Sequence, residues 1–255
     1  MADTPCIAVQ DLDLAYGDQV IQRNLTFTVN RGDIFIIMGG SGCGKSTLLR
    51  TMVGLLPPAR GDVAYYGQSF WGADPAARNQ LLRRCGILYQ AGALWSSMTL
   101  AENIALPLEE YTTLSAVEIK DLVALKLALV GLAGCEEMYP SEISGGMRKR
   151  AGLARALALD PDILFFDEPS AGLDPISSRL LDDFIRELRD SIGATLVIVT
   201  HELASIFAIG NNSVFLDAAT KTMLASGHPT TLLAETTIPA VRQFLTRGGN
   251  GATHA

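Results

Sequence analysis

The sequence predicts an α/β protein with a parallel core sheet, an antiparallel β subdomain near its N-terminal end and a helical subdomain inserted between core strands. Three observations carry this reading. Apolar runs of strand length, Ile34-Phe35-Ile36-Ile37-Met38, Ile163-Leu164-Phe165-Phe166 and Thr195-Leu196-Val197-Ile198-Val199, lack polar alternation, which is the pattern of parallel strands buried on both faces. The first of these runs straight into a glycine-rich loop and then a helical pattern. Between about 91 and 160 the period changes from strand-like to helical. Residues 1–247 are expected to form a single domain and 248–255, small and polar, a disordered tail.

Taken in order, residues 7–37 alternate short apolar runs with turns, a hairpin-like pattern. A helix is expected from about Ser46 to Leu55, stopped by Pro57-Pro58, followed by a short strand pair over Gly61–Gly67, a helix over Pro75–Arg84 and a strand over Gly86–Tyr89. Thr99 with Glu102 and Ser115 with Glu118 each have capping-box spacing ahead of a helical stretch. A helix over Ser177–Ser191 joins the strands at 163 and 195 into a β-α-β unit. Ile238, Val241, Phe244 and Leu245 lie at helical spacing, which suits packing on the chain's own domain or docking on a neighbouring subunit.

The composition excludes several function classes. The chain has 255 residues, 48% hydrophobic and 18% charged, with a formal net charge of −7. That acidic balance argues against nucleic acid, which requires clustered Lys and Arg. Mean hydropathy is +0.25, yet no uncharged apolar run reaches the roughly 18 residues of a membrane span; the best stretch, Leu122–Gly134, contains Lys126. Met1–Pro5 offers no basic segment followed by an apolar core, so no secretory signal is expected. Cys6, Cys43, Cys85 and Cys135 show no metal or disulfide spacing and read as reduced thiols.

The chemistry starts at Gly39-Gly40-Ser41-Gly42-Cys43-Gly44-Lys45-Ser46-Thr47, a complete phosphate-binding loop in its required strand–loop–helix context. Its backbone amides can cradle phosphate oxygens and the helix start adds positive potential. Lys45 is expected to reach the β- and γ-phosphates and Ser46 to ligate Mg²⁺. Cys43 reads as a small filler. Asp167 and Glu168 follow four apolar residues, at the carboxyl end of a buried strand where α/β sheets bind ligands. Asp167 suits Mg²⁺ and Glu168 the attacking water. His201 and Gln90 each follow another strand: His201 to meet γ-phosphate and water, Gln90 to ligate Mg²⁺ or water through its amide oxygen. Ser144-Gly145-Gly146 at a helix start forms a second anion site. Arg148-Lys149-Arg150 after it reads mainly as a solvated helix face.

At Ile143-Ser144-Gly145-Gly146-Met147 the chain resembles the ATP-binding cassette family of P-loop NTPases, whose signature is LSGGQ. The resemblance extends over nearly the whole chain. Tyr16 matches the adenine-stacking aromatic, Gly39–Thr47 Walker A, Gln90 the Q-loop, Ile163–Asp167 Walker B with Glu168 after it, Ser170–Asp174 the D-loop and His201 the switch histidine. It implies an ATPase binding ATP and Mg²⁺, working as a head-to-tail homodimer in which Ser144, Gly145 and Gly146 of one copy meet the nucleotide of the other. Met147 departs from the usual glutamine, which is peripheral to the phosphate contacts.

Residues 144–156, 89–99 and 241–245 further resemble the Mla-type lipid-transport ATPases. That branch implies an integral membrane permease, a location on the cytoplasmic face of the inner membrane, phospholipid as cargo moved between inner and outer membranes, a periplasmic MCE lipid-binding protein and a small STAS-domain partner. Leu94, Trp95 and Met98 would then line a groove for a permease helix. The rival readings are a transport ATPase for another cargo, a soluble ATPase of iron–sulfur assembly or translation, and a DNA-repair ATPase. The last would need a long coiled-coil or zinc insertion between Gln90 and Ser144.

Overall fold

The structure, a computed structural model, describes residues 4–90 and 92–246. The expected tail at 248–255 lies outside the described residues. Two sheets carry the chain. The first is antiparallel, in the order β2 (Gln19–Val29), β1 (Ile7–Tyr16), β4 (Arg60–Tyr65) and β5 (Gln68–Ser69). The second runs β10 (Thr222–Ser226), β9 (Asn212–Asp217), β3 (Ile34–Gly39), β8 (Thr195–Val199), β7 (Ile163–Asp167) and β6 (Cys85–Leu88). From β9 to β6 the pairings are parallel, and β10 adds an antiparallel edge.

The apolar strands divide their side chains between two cores, as strands covered on both faces must. Phe35, Ile37, Phe165, Val197 and Val199 face the antiparallel sheet and α1 (Lys45–Met52). Ile34, Ile36, Leu164, Phe166, Leu196 and Ile198 face the helices on the other side. Those helices are α3 (Leu100–Tyr111), α4 (Ala116–Leu129), α5 (Gly145–Ala156), α6 (Pro175–Ile192), α7 (Leu203–Ile209) and α9 (Pro239–Thr246); α2 (Pro75–Leu82) and α8 (Pro229–Glu235) complete the order.

Both capping boxes form. The Thr99 amide donates to Glu102 Oε2 at 2.7 Å while the Glu102 amide donates to Thr99 Oγ1 at 3.2 Å, and Ser115 and Glu118 exchange the same pair of bonds. The first helix is shorter than expected. It ends at Met52 because Gly54 adopts φ +81°, and the Leu55 and Gly54 amides close back on the Arg50 and Thr51 carbonyls. This is a Schellman ending, so a glycine rather than Pro57 stops the helix. Near the C-terminal end, Val241, Phe244 and Leu245 bury against the chain's own core, with Phe244 edge-on to Phe215.

Candidate functional site

The glycine-rich loop leaves the end of β3 and enters α1 at Lys45. Gly44 caps that helix in the left-handed region at φ +98°, and a Cβ there would lie 2.7 Å from Ile21 Cγ2, so glycine is required twice over. A cleft of about 660 Å³ opens above the loop. Gly39, Gly40, Ser41, Gly42, Gly44, Lys45, Ser46 and Thr47 line its floor, and Gln90, Glu168 and His201 its rim. The structure therefore brings together residues drawn from the ends of β3, β6, β7 and β8, as strand ends of a parallel sheet do.

Lys45 is buried, its Nζ donating to the carbonyls of Gly39 at 3.0 Å and Gly40 at 2.9 Å. The ammonium is thus held at the loop rather than free in solvent. Ser46 Oγ donates to Asp167 Oδ1 at 3.2 Å. Burial pushes the Asp167 carboxyl up from its ordinary value; the Ser46 bond opposes this and the neighbouring Glu168 charge adds to it. A half-buried carboxylate beside a hydroxyl, with the Arg50 and Lys45 charges only partly offsetting its burial, is a hard-oxygen pair suited to Mg²⁺. Among the described residues no cluster of three or more His, Cys, Asp or Glu could hold a metal alone. Mg²⁺ here would depend on waters and phosphate oxygens as well as Ser46 and Asp167.

Glu168 has φ +50°, unusual for a residue with a side chain. Its amide donates to the Val199 carbonyl at 2.8 Å, tying the turn to β8. Oε1 lies 2.8 Å from His201 Nδ1, and Oε2 is buried without a partner among the described residues. One oxygen thus holds the carboxylate at the cleft rim, the positioning a general base needs, while Oε2 itself has no exposed surface in this conformation.

Other sequence-selected residues fall elsewhere. Cys43 is buried behind the loop, where burial raises its thiol pKa, in keeping with a filler. Tyr16, 43% exposed at the end of β1, does not line the cleft; its hydroxyl accepts from Arg50. Ser144 caps α5, accepting from the Met147 amide, and Ser144 and Gly145 are exposed away from the cleft. Gly146 faces Leu173. Asp174 caps α6, and hydrogen bonds from Ser177 and the Ile176 amide lower its pKa.

The expectation of a mainly solvated face holds for Arg148 and Arg150, which are exposed, whereas Lys149 is half-buried. Each of the three also donates to backbone carbonyls of its own chain. Arg148 reaches Pro140 and Ile143, Arg150 reaches Val130 and Gly131, and Lys149 reaches Pro169 at 2.8 Å and also Ala171. Lys149 thereby joins the start of α5 to the segment between Glu168 and Asp174. Of the apolar residues after Gln90, Leu94 packs on the core while Trp95 stays 59% exposed. Trp95 borders a depression of about 520 Å³ with Tyr89, Leu106, Pro107, Tyr111 and Arg155.

Sequence reasoning missed Ile21, Leu203 and Phe244 on the cleft wall. It also missed Gln22, which is fully buried beneath the loop.

Comparison with known proteins shows the family and the fold. The family described as ABC transporter matches residues 22–171. The probable ribonucleotide transport ATP-binding protein mkl of Mycobacterium tuberculosis is 41% identical over 94% of this chain; the chain spans 66% of that relative's length. The intermembrane phospholipid transport system ATP-binding protein MlaF of Escherichia coli K12 is 39% identical over 94% of this chain and 88% of its own. Among solved structures, the dimeric post-hydrolysis state of the ATP-binding cassette MJ0796 bound to ADP and Pi superposes with a TM-score of 0.80 at 25% identity, over 87% of this chain and 98% of that one.

Proposed function

The chain belongs to the ABC transporter family, and from that premise we propose that it is an ATP-hydrolysing subunit that drives phospholipid transport through a separate membrane permease. The observation that carries the ATPase reading is one cleft lined by the phosphate loop and the Glu168–His201 pair, with Asp167 bonded to Ser46 behind its floor. Loop amides and Lys45 bind and orient the triphosphate. Ser46 and Asp167, with Gln90 on the rim, would hold Mg²⁺, which when bound would screen phosphate charge. The Glu168 carboxylate accepts a proton from the attacking water, whose oxygen bonds to the γ-phosphorus as the bond to the β-phosphate oxygen breaks and ADP leaves. His201, with Nδ1–H donating to Oε1, keeps the carboxylate oriented.

Ser144, Gly145 and Gly146 stand apart from the cleft of their own chain, which supports a head-to-tail homodimer in which each copy completes the other's site. Tyr16 stacks on adenine, and Asp174 lies in the segment that contacts the second copy. Trp95, Tyr111 and their neighbours supply an apolar groove for a permease helix, an exposed aromatic surface with a use. No helix among the described residues is long and apolar enough to cross a membrane, so attachment to the cytoplasmic face of the inner membrane comes through the permease. Phospholipid is proposed as cargo from the likeness to MlaF at 39% identity. A periplasmic MCE lipid-binding protein and a small STAS-domain protein are the further partners this reading expects.

Two measurements test it. Mixing Lys45→Ala and Ser144→Ala chains under the permease leaves one of two composite sites intact, and ATP turnover above either variant alone is expected; no recovery would refute the shared site. In vesicles carrying the assembled complex, ATP is expected to move labelled phospholipid. ATP-dependent movement of ribonucleotide without phospholipid would overturn the cargo assignment.

A further inference from the structure

We propose that Gln22 is a positioning residue that fixes the direction of the Cys43–Gly44 peptide and so aims the Gly44 amide at a nucleotide phosphate. This rests on the reading of the Gly39–Thr47 loop as the nucleotide site. Gln22 lies on β2, outside the loop in sequence and fully buried. Its Nε2 donates twice, to the Cys43 carbonyl at 2.6 Å and to the Asp217 carbonyl at 2.9 Å. Asp217 ends β9, so the side-chain amide bridges the loop to the core sheet.

The consequence follows from peptide geometry. In a planar trans peptide the carbonyl and the next residue's N–H point in opposite directions. Pinning the Cys43 oxygen toward β2 turns the Gly44 N–H the other way, to the side where Gly42, Gly44 and Lys45 line the cleft. On its C-terminal side the peptide is followed by Gly44 at φ +98°, and glycine accepts both hands of backbone with little preference, so that residue does not fix the peptide's direction. A donor to the Cys43 carbonyl does, and Gln22 is the side chain bonded to it.

Fold stability alone does not account for an amide here. Gln22 Oε1 is buried without a partner among the described residues, a cost that an apolar side chain of the same length would avoid. What the amide adds is two donor bonds to backbone carbonyls. The fit is close, since a Cβ on Gly44 would come within 3.2 Å of Gln22 Cγ.

The test compares the full-length protein with Gln22→Met, which keeps length and volume but has no donor. The expected result is a melting temperature within a few degrees of the unsubstituted protein, with ATP and ADP affinities each weakened about tenfold and the KM for ATP raised in step, while kcat moves less than twofold. A folded Gln22→Met protein with unchanged nucleotide affinity would overturn the proposal. A second measurement needs no variant. The Gln22 side-chain NH₂ resonances should exchange slowly with solvent and shift on ADP binding; exchange at the solvent rate would overturn the clamp even if Gln22→Met failed to fold. An unsubstituted protein that binds no ATP would refute the nucleotide reading instead, and the amide exchange would still decide the clamp.

Discussion

Replacing Gly152 with alanine should disturb the site from behind. Gly152 sits in α5 where the helix presses on the segment that follows Gln90. A Cβ there would lie 2.8 Å from the Gly92 carbonyl oxygen, 2.9 Å from Gly92 Cα and 3.1 Å from Leu88 Cδ1. Ordinary contacts are about 3.5–4.0 Å, so the Gly92 backbone must retreat by about 0.7 Å or more. It is not free to do so, because Arg155 donates to the Ala93 and Gly92 carbonyls and the Gly92 amide donates to Tyr89. Overpacking of this kind costs about 1–3 kcal/mol, a melting temperature lower by about 2–12 °C for a domain of this size. Gln90 is two residues from the displaced backbone and lies on the cleft rim. Misplacing a positioning group by 1 Å can slow catalysis about 10²-fold, so turnover in the permease complex should fall steeply. ATP affinity should hold, since the phosphate loop does not touch Gly92. Calorimetry and steady-state turnover of Gly152→Ala in the assembled complex check both halves. Unchanged melting and unchanged turnover together would refute the argument.

Glu168→Gln keeps the shape that accepts from His201 and removes the carboxylate; ATP hydrolysis by the complex should fall about 10²–10⁴-fold while ATP still binds, and turnover close to that of the unsubstituted protein would refute the role given to Glu168. Asp182 is buried on α6 and accepts from Ser205 Oγ at 2.9 Å, and burial raises its carboxyl pKa above the ordinary value. A raised folded value means the group's contribution to stability is present below the unfolded carboxylate pKa, about 3.9, and is lost as pH rises through the folded value. Asp182→Asn should therefore melt a few degrees higher near pH 7.5, the gain shrinking as pH falls toward 4, and a lower melting temperature at pH 7.5 would contradict it.

Much of the site was legible because its signals are local. The phosphate loop, the acidic pair after an apolar strand and both capping boxes need only a few neighbouring residues to be recognised. The last quarter of the core was harder. Residues 203–236 hold α7, β9, β10 and α8, none of them assigned from sequence. The entry to α7 at Glu202 makes no side-chain capping bond, and β9 begins with Asn212-Ser213, polar residues whose side-chain donors find Asp33 and Gly227, distant in sequence. Gln22 was hidden by a break in register. Leu12 pairs with Leu25 but Leu14 pairs with Gln22, so β2 carries one residue more than β1 over that interval, with Asn24 at φ +51°. Alternation counted back from Val29, Phe27 and Leu25 therefore puts Arg23 inside, whereas the bulge turns Gln22 inward instead.

The basic triplet after the signature teaches the complementary lesson. Three consecutive cations on a helix point in three directions, and periodicity treats them as one exposed patch. What decides their fate is the supply of unpaired carbonyls around α5: those of Pro140 and Ile143 before the helix, of Val130 and Gly131 after α4, and of Pro169 and Ala171 after Glu168. Each belongs to a loop or helix end, where backbone acceptors lack partners of their own. A cation that meets two such oxygens gains charge-assisted bonds where a solvated one gains little. Three separate segments are thereby fastened to the helix that begins at Ser144. With Gly152 and Arg155 holding the backbone beyond Gln90 on the same helix, a displacement of α5 must be felt by the segments on both sides of the cleft.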